Sequence, residues 1–206
     1  MSLVPATPRP ATADLNAPVP MLVTARLVLR SLRLDDAAAI AAGAGDRRVA
    51  RFLLAVPSPY PVSLARRWLE GRLDWWHQGR GVTFAIARRT DPHALLGTVS
   101  LRGFARDHRA ELGYWLATSA WGHGFATEAC AAALEFGFSK LALSRIYAQV
   151  LDDNRASHHV LAKLGMVTEG IKRKHIKRGN RMCDVVLYGL LRDEWSPAEV
   201  STTTER

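Results

Sequence analysis

The stretch Glu111-Leu-Gly-Tyr-Trp-Leu-Ala-Thr-Ser-Ala-Trp-Gly-His-Gly-Phe-Ala-Thr-Glu128 decides how the rest of the chain is interpreted. It begins as a strand, continues through a glycine-containing loop and opens a helix predicted to reach about Lys140. Small residues at Gly122, Gly124 and Ala126 allow consecutive backbone N–H groups to face an anion, and the helix N-terminus adds about half a positive charge. This order predicts a pyrophosphate-binding loop, and a tight turn that merely requires glycine is the alternative.

Two familiar phosphate-binding loops fit this stretch less well. A Rossmann loop places its first glycine directly after a buried apolar strand, whereas residues 117–121 intervene here. The preceding strand also contains Glu111 and Gly113, which suits a half-open strand better, although Asp152 or Asp153 after the next strand favours the Rossmann reading. A Walker A loop is excluded because no Gly-Lys-Ser/Thr sequence follows.

The length of the chain and the order of its predicted strands and helices indicate one domain of the α+β class. Residues 1–20 hold five prolines and are expected to form a flexible leader, residues 21–195 the domain, and residues 196–206 a tail. Strands and helices mix without strict alternation, which is typical of α+β proteins. The predicted strands cover residues 26–32, 82–88, 95–102, 110–116, 145–150, 167–174 and 184–191. The predicted helices follow Asp35, run from Ser63 to about Gln78, cover 127–140, and run from a cap at Asn154 or Asp153 to Gly165.

The composition excludes several classes of protein. The longest apolar runs are far shorter than the roughly 20 residues of a membrane span, and the first residues lack the charged and apolar regions typical of a signal peptide. Cys130 and Cys183 are the two cysteines, so neither a disulfide framework nor a cysteine-based zinc site is supported. Cys130 lies on the apolar face of its helix and is expected to be a core residue. We expect a cytoplasmic protein that binds neither membrane nor metal.

The charge is unevenly distributed. The net charge is +9, and the segment Lys172–Arg181, called the basic segment below, holds six basic residues and no acid. One short window therefore carries most of the excess. Such a cluster points to nucleic acid, to an anionic surface or to a polyanionic small molecule as a partner.

The loop and several other motifs resemble those of a known family. The loop is similar to the (Q/R)xxGx(G/A) signature of the GNAT acyl-CoA N-acetyltransferases, with Gly124 and Ala126 at the small-residue positions and Trp121 where Gln or Arg is usual. More specifically, residues 22–195 resemble the RimJ/RimL-type branch that acetylates the N-termini of ribosomal proteins. The shared motifs are Thr24-Ala-Arg-Leu-Val-Leu-Arg30 with Asp36-Ala37, Glu111-Leu-Gly-Tyr-Trp115, Gly122-His-Gly-Phe-Ala-Thr-Glu128, Asn154-Arg-Ala-Ser157, Lys163-Leu-Gly165, and Asp184 with Tyr188.

The resemblance implies a GNAT fold, in which helices flank a mixed, largely antiparallel sheet of about seven strands. It also implies transfer of an acetyl group from acetyl-CoA to a primary amine by direct attack in a ternary complex. A backbone N–H near Leu116 or Ala117 is expected to face the thioester oxygen. Coenzyme A is strongly anionic, so a basic protein is expected even without nucleic acid. The implied cofactor-binding residues are Trp115, Leu116, Ala117, Trp121, Gly122, His123, Gly124, Phe125, Ala126, Thr127, Asn154 and Ser157.

Two residues are candidates for proton transfer. Ser157 stands where this branch places a serine proposed to protonate the departing thiolate, although Ser157 and Asn154 also suit the first turn and cap of a helix. Glu111 is the candidate general base, acting through a water, and an ordinary exposed strand residue is the alternative. Some relatives carry a second glutamate further along the chain, at the position that Ile176 occupies here.

A second hypothesis belongs to another class of function. The basic segment can dock the protein on RNA or the ribosome, with acetyl-CoA regulatory or absent. A milder form is an enzyme whose basic hairpin steers an acidic acceptor, and a solvated hairpin is the plainest reading. One of Trp75 and Trp76 must face partly outward and is expected to line the acceptor groove. The sequence leaves open the acceptor amine and the choice between monomer and homodimer.

Overall fold

The computed structural model describes residues 13–53, 56–57, 59–104, 108–178 and 180–196. Most of the predicted leader, and the tail after residue 196, therefore lie outside the described residues. The described strands are β1 Leu22–Val23, β2 Leu27–Ser31, β3 Gly81–Arg88, β4 Asp91–Arg102, β5 Arg109–Leu116, β6 Arg145–Leu151, β7 Val167–Arg178 and β8 Arg181–Leu191. The described helices are α1 Ala37–Gly45, α2 Arg47–Ala50, α3 Val62–Leu73, α4 Phe125–Ser139 and α5 Arg155–Lys163, besides three short 3-10 turns.

The strands form one mixed sheet in the order β1-β2-β3-β4-β5-β6-β8-β7. Strands β3, β4 and β5 form the predicted antiparallel meander, and β5–β6 is the parallel pair. The α+β class and the largely antiparallel sheet are confirmed. The described part of the chain has eight strands instead of about seven, because the two-residue edge strand β1 is too short to show a periodic pattern.

Strands β5 and β6 separate soon after they meet. They pair only through Arg109–Glu111 on β5 and Arg145–Tyr147 on β6. Beyond Glu111, β5 continues in register with β4 as far as the pair Gly97 and Leu116. The edge of β5 that faces β6 is therefore open over residues 112–116, and this gap positions the site described below.

Two hydrophobic cores cover the two faces of the sheet. Because successive strand residues point to opposite faces, Phe84 packs with α4 on one side and Ala85 packs with α1 and α3 on the other. Cys130 on α4 is completely buried, and burial raises the pKa of its thiol. The prediction that Cys130 is a core residue is confirmed.

Helix α3 is shorter than predicted and buries a different face. It ends at Leu73, and the chain then turns before Gln78. Ala65 and Leu69 are fully buried, whereas Leu64, on the predicted apolar face, is 36% exposed. The reason is that α3 packs against the alanine-rich surface of α1. Ala65 and Leu69, four positions apart on one face of α3, fill that contact.

The basic segment forms the predicted hairpin between β7 and β8. Both strands extend beyond their predicted ends, to Arg178 and from Arg181, and the register shifts between Lys172 and Ile176. Within this irregularity Lys174 has a positive φ of 49°, and its backbone N–H donates to the carboxylate of Asp184 at 2.7 Å. Within the described ranges, no helix is long and apolar enough to cross a membrane.

Candidate active site

A cleft of about 530 Å³ lies where β5 and β6 separate. Its walls come from the end of β5, the loop before α4, and the first turns of α4 and α5. Ala117 and His123 are not among its lining residues. The lining residues that the sequence predicted are Trp115, Leu116, Trp121, Gly122, Gly124, Phe125, Ala126, Thr127, Asn154 and Ser157.

The hydrogen bonds of β5 show which backbone groups face the cleft. The N–H of Ala117 donates to the carbonyl of Leu96 at 2.7 Å, so it is used inside the sheet. The carbonyl of Leu116, on the same peptide unit, points the opposite way, toward the gap. The N–H of Leu116 points to the same side as its carbonyl. Of the two oxyanion donors that were expected, Ala117 is therefore wrong and Leu116 remains.

Trp121 directs its donor toward this same edge. Its indole Nε1 donates to the carbonyl of Leu116 at 2.9 Å, while the ring is 45% exposed and lines the cleft. Tryptophan has a single side-chain donor. The residue that replaces the usual Gln or Arg therefore donates its side-chain N–H to the backbone of β5.

The glycines of the loop are required for its backbone conformation. Gly122 and Gly124 have φ values of 78° and 77°, in the left-handed region. A Cβ atom at Gly122 would meet nothing within 4 Å, and at Gly124 it would meet only the tip of Arg26 at 3.5 Å. Helix α4 starts at Phe125, directly after Gly124, so its free N–H groups point toward the loop.

A cluster around Arg26 fixes the loop to the first strands. The Arg26 guanidinium donates to the carbonyl of His123 at 3.0 Å, pairs with Glu128 at 2.6 Å and lies 4.9 Å from the centre of the Phe125 ring. Thr24 Oγ1 donates to Glu128 at 2.6 Å. Burial raises the pKa of Glu128, but the hydrogen bonds from Thr24 and Arg26 outweigh it and lower that pKa overall.

A pair of hydroxyl groups lies at the inner end of the cleft. Tyr114 Oη and Ser157 Oγ are 2.6 Å apart, and Asn154 caps α5 by accepting the Ser157 N–H at 3.3 Å. Burial raises the pKa of the Tyr114 phenol, which therefore stays protonated at neutral pH. Sequence reasoning missed Tyr114 as a site residue. The signal that could have identified it was its position in the family motif Glu111-Leu-Gly-Tyr-Trp115.

A second cavity, of about 230 Å³, adjoins the cleft. The two spaces share Phe52, Leu53, Tyr114, Trp115, Asn154 and Ser157, so the hydroxyl pair lies on their common boundary. Trp68 lines this second cavity and neither Trp75 nor Trp76 does, so the expectation that one of those two lines the acceptor groove stays a prediction. Trp76 is buried in the core, and Trp75 is covered by arginine side chains. The polar and charged residues that line the cavity include Arg72, Thr83, Thr98, Ser100, Arg102, Glu111 and Gln149.

Glu111 faces this second cavity from β5. Its carboxylate pairs with Arg102 at 2.9 Å and is 21% exposed. A carboxylate offers about four lone-pair positions, so the pairing with Arg102 leaves acceptor capacity on Glu111. Arg72 and Arg102 were not predicted as site residues, because neither belongs to a motif.

The basic segment is partly held by the fold. Arg178 donates to the backbone carbonyl of Ala50 at 3.0 Å, Arg181 pairs with Asp153 at 3.1 Å, and Lys172 donates to a side-chain amide of β6. Half of the six cations therefore have internal partners. The remaining three, Arg173, Lys174 and Lys177, are exposed. In the part of the chain that the structure covers, no three His, Cys, Asp or Glu side chains are grouped to hold a metal ion.

Comparisons with known proteins agree with this geometry. The family model described as the acetyltransferase (GNAT) domain matches residues 26–167. The uncharacterized N-acetyltransferase YoaA of Bacillus subtilis is 33% identical over 174 residues, which cover 84% of this chain and 97% of that protein. The [ribosomal protein uS5]-alanine N-acetyltransferase of Escherichia coli is 27% identical and is covered to 96%, with 88% of this chain.

Solved structures share the fold. RimJ of Mycobacterium smegmatis in complex with CoA-disulfide superposes with a TM-score of 0.74 at 26% identity, covering 85% of this chain and 87% of that one. A GNAT-family acetyltransferase of Bacillus anthracis has a TM-score of 0.76 at 24% identity, covering 85% of this chain and all of the other. The family model, the full-length relatives and the open edge of β5 together show that this chain belongs to the GNAT acetyltransferases.

Proposed function

We propose that this protein transfers the acetyl group of acetyl-CoA to a primary amine by direct attack in a ternary complex. The observation that carries the proposal is the meeting of two cavities at the Tyr114–Ser157 pair. One cavity is bounded by an open strand edge and a helix N-terminus, and the other is lined by polar side chains. A donor and an acceptor that enter from opposite sides come together at this point.

The first cavity suits coenzyme A. The amide groups of pantetheine can pair with the free edge of β5 as an added strand does. The pyrophosphate is expected at the N-terminus of α4, where Gly122 and Gly124 shape the backbone. RimJ of Mycobacterium smegmatis, similar in fold and 26% identical, was solved with CoA-disulfide. This supports acetyl-CoA as the donor.

The N–H of Leu116 is placed to stabilise the thioester oxygen as it gains negative charge. The amine nitrogen forms a bond to the carbonyl carbon, the carbon–sulfur bond breaks, and the thiolate takes a proton. Ser157 is the proton donor in this proposal. Its Oγ lies 2.6 Å from the protonated phenol of Tyr114, and in this proposal the phenol donates to it. As the serine proton moves to the sulfur, the phenol proton moves to Ser157, and solvent then restores the proton of Tyr114.

Glu111 is the proposed acceptor of the proton that the amine loses, through a water. The demand on this base depends on the amine, because an α-amine has a pKa near 8 and a lysine side chain one of about 10.4. Glu111 is paired with Arg102 at 2.9 Å and lines the second cavity, called the acceptor cavity below, so it is positioned for modest assistance. We therefore favour an α-amine over a lysine side chain as acceptor.

Acetyl-CoA binding measured by calorimetry, followed by free-thiol release across a panel of peptides and small amines, tests the proposal. Gly124→Val is expected to abolish acetyl-CoA binding while the fold is retained, since the loop backbone changes and nothing crowds the new side chain. Gly103→Val is the matched control, because Gly103 also has a positive φ and open space but lines neither cavity. Loss of binding in both variants, or in neither, contradicts the assignment of the loop.

The structure gives less support than the sequence did to the hypothesis that the basic segment docks on RNA or the ribosome. With three of the six cations held internally, the exposed Arg173, Lys174 and Lys177 carry the remaining attraction for RNA or an acidic protein. Neutralising all three is expected to flatten the salt dependence of RNA binding by a slope of roughly 2 to 3. Absence of RNA binding by the wild-type protein at physiological salt removes this hypothesis and leaves acetyl transfer unaffected.

A further inference from the structure

The acceptor cavity contains an unbalanced positive charge. Two guanidinium groups, those of Arg72 and Arg102, and a single carboxylate, that of Glu111, line it. Arg102 and Glu111 form an ion pair at 2.9 Å. Among the described residues Arg72 therefore has no acidic partner.

Aromatic side chains hold Arg72 in place. Its guanidinium carbon lies 3.4 Å from the centre of the Trp75 ring and 5.3 Å from that of Trp68. Burial, together with repulsion from Arg102 and Arg80, lowers the pKa of Arg72 to about 10. The side chain therefore remains charged at neutral pH, in a place where its charge is costly.

Hydrogen-bonding capacity at the cavity is unused. Arg72 Nη1 and Arg102 Nε are both buried and have no hydrogen-bond partner in the described part of the chain. A buried charged donor without a partner is strongly unfavourable, and such groups are normally paired. Both guanidinium groups also line the cavity, so an anion bound there would offset a positive charge that the surrounding side chains leave incompletely paired.

The cavity is small and close to the reaction centre. Its 230 Å³ is below the range of roughly 300 to 1,000 Å³ that is usual for drug-sized ligands. The Arg102 guanidinium lies over Gly113, where a Cβ atom would come within 3.1 Å of its Nη2, and Gly113 adjoins Tyr114 of the hydroxyl pair. One small molecule, or one residue of a chain, can therefore supply both an amine at that pair and an anion at the arginines.

We propose that the acceptor amine carries a carboxylate close to its nitrogen, and that Arg72 and Arg102 bind this carboxylate. The inference rests on the proposed function, since it names the class of amine that the enzyme acetylates. The amine then lies toward Glu111 and Ser157. Guanidinium groups recognise carboxylates through charge-assisted hydrogen bonds. A free α-amino acid and an N-terminal residue with an acidic side chain both supply this chemistry.

Matched acceptors test the inference and distinguish the two sources. L-Alanine is compared with L-alanine amide, and the tripeptide amide Asp-Ala-Ala with Asn-Ala-Ala, by the kcat/KM for thiol release from acetyl-CoA. In at least one pair the wild-type enzyme is expected to prefer the carboxylate at least about 10-fold. Arg72→Gln is expected to raise KM for that acceptor roughly 10- to 100-fold and to leave its neutral partner nearly unchanged. Arg72→Lys is expected to keep part of the preference.

Arg80→Gln is the control variant. Arg80 also stacks on Trp75, at 5.2 Å, but it does not line the acceptor cavity, so this variant is expected to keep the carboxylate preference. Thermal stabilisation by each acceptor, with and without bound acetyl-CoA, gives a readout independent of turnover. Circular dichroism and a melting temperature for Arg72→Gln confirm that it is folded.

The two ways of failing are distinguishable. Turnover of neutral amines equal to that of carboxylates, or a preference unchanged by Arg72→Gln, overturns the inference and leaves acetyl transfer intact. Carboxylate-dependent stabilisation that disappears in Arg72→Gln, without thiol release from any amine, supports the anion subsite and contradicts the proposed function. Absence of both turnover and carboxylate-dependent stabilisation overturns the inference as well.

Discussion

The hydroxyl pair gives the sharpest test of the chemistry. Ser157→Ala removes the Oγ that lies 2.6 Å from Tyr114 but keeps the backbone N–H that Asn154 caps. The start of α5 therefore survives, and the loss of one part-buried hydrogen bond lowers the free energy of unfolding by about 1 kcal/mol. For a chain of this length the melting temperature falls by roughly 2 to 4 °C. Acetyl-CoA affinity is expected to change little.

The effect on turnover is expected to be much larger. Loss of a positioned proton donor slows catalysis by about 100-fold or more. Tyr114→Phe removes the phenol and leaves the ring, and we expect a loss of roughly 10-fold. If the phenol acts through the serine, the double variant is no slower than Ser157→Ala alone.

The assay is free-thiol release with both substrates saturating, supported by calorimetric binding of acetyl-CoA to each variant. Rapid mixing establishes that chemistry limits the rate, so that a change in product release is not mistaken for a change in proton transfer. A Ser157→Ala enzyme with wild-type kcat refutes the role of the serine. Additive losses in the double variant refute the relay and indicate that Tyr114 acts independently.

Two further predictions concern the framework of the site. A Cβ at Gly97 would lie 2.1 Å from the carbonyl oxygen of Trp115, so Gly97→Ala is expected to lower the free energy of unfolding by about 3 kcal/mol in chemical denaturation. The control is Gly71→Ala, which is expected to stabilise the protein slightly because nothing lies within 4 Å of the new methyl group. Equal effects of the two substitutions contradict the packing argument. Glu128→Gln is expected to cost about 2 kcal/mol at pH 7, a melting shift of roughly 4 to 8 °C. The folded-state pKa of Glu128 lies below its ordinary value of 4.5. The stability that the Glu128 carboxylate contributes is therefore present above pH 4.5 and is lost as the pH falls through the lower folded-state pKa. A stability difference between Glu128→Gln and wild type that persists unchanged in acid contradicts this role of the carboxylate.

Local signals in the sequence predicted much of this molecule. The glycines at 122 and 124 and the helix behind them are adjacent along the chain, and their pattern needs no tertiary information. The same holds for the cap of α5 at Asn154, where a side-chain oxygen three residues before Ser157 is a local device. These features matched the structure closely.

Contacts between segments that are distant along the chain could not be predicted from the sequence. Tyr114 and Ser157 are 43 positions apart, and their pairing depends on where β5 and β6 diverge, which no periodicity encodes. Arg72 belongs to no motif, and its contact with Trp75 depends on the turn after Leu73, where the helix was predicted to continue. The same long-range packing turns the N–H of Ala117 toward β4, which local sequence signals do not reveal.

The indole of Trp121 makes the open strand edge visible to fluorescence. The ring is 45% exposed and hydrogen-bonded to the Leu116 carbonyl, the same group with which an arriving pantetheine chain would pair. Occupation of the cleft must therefore change both the polarity around this chromophore and its hydrogen bond. Emission from the unlabelled protein can follow cofactor arrival in a stopped-flow instrument, and Trp121→Phe separates that signal from the other five tryptophans.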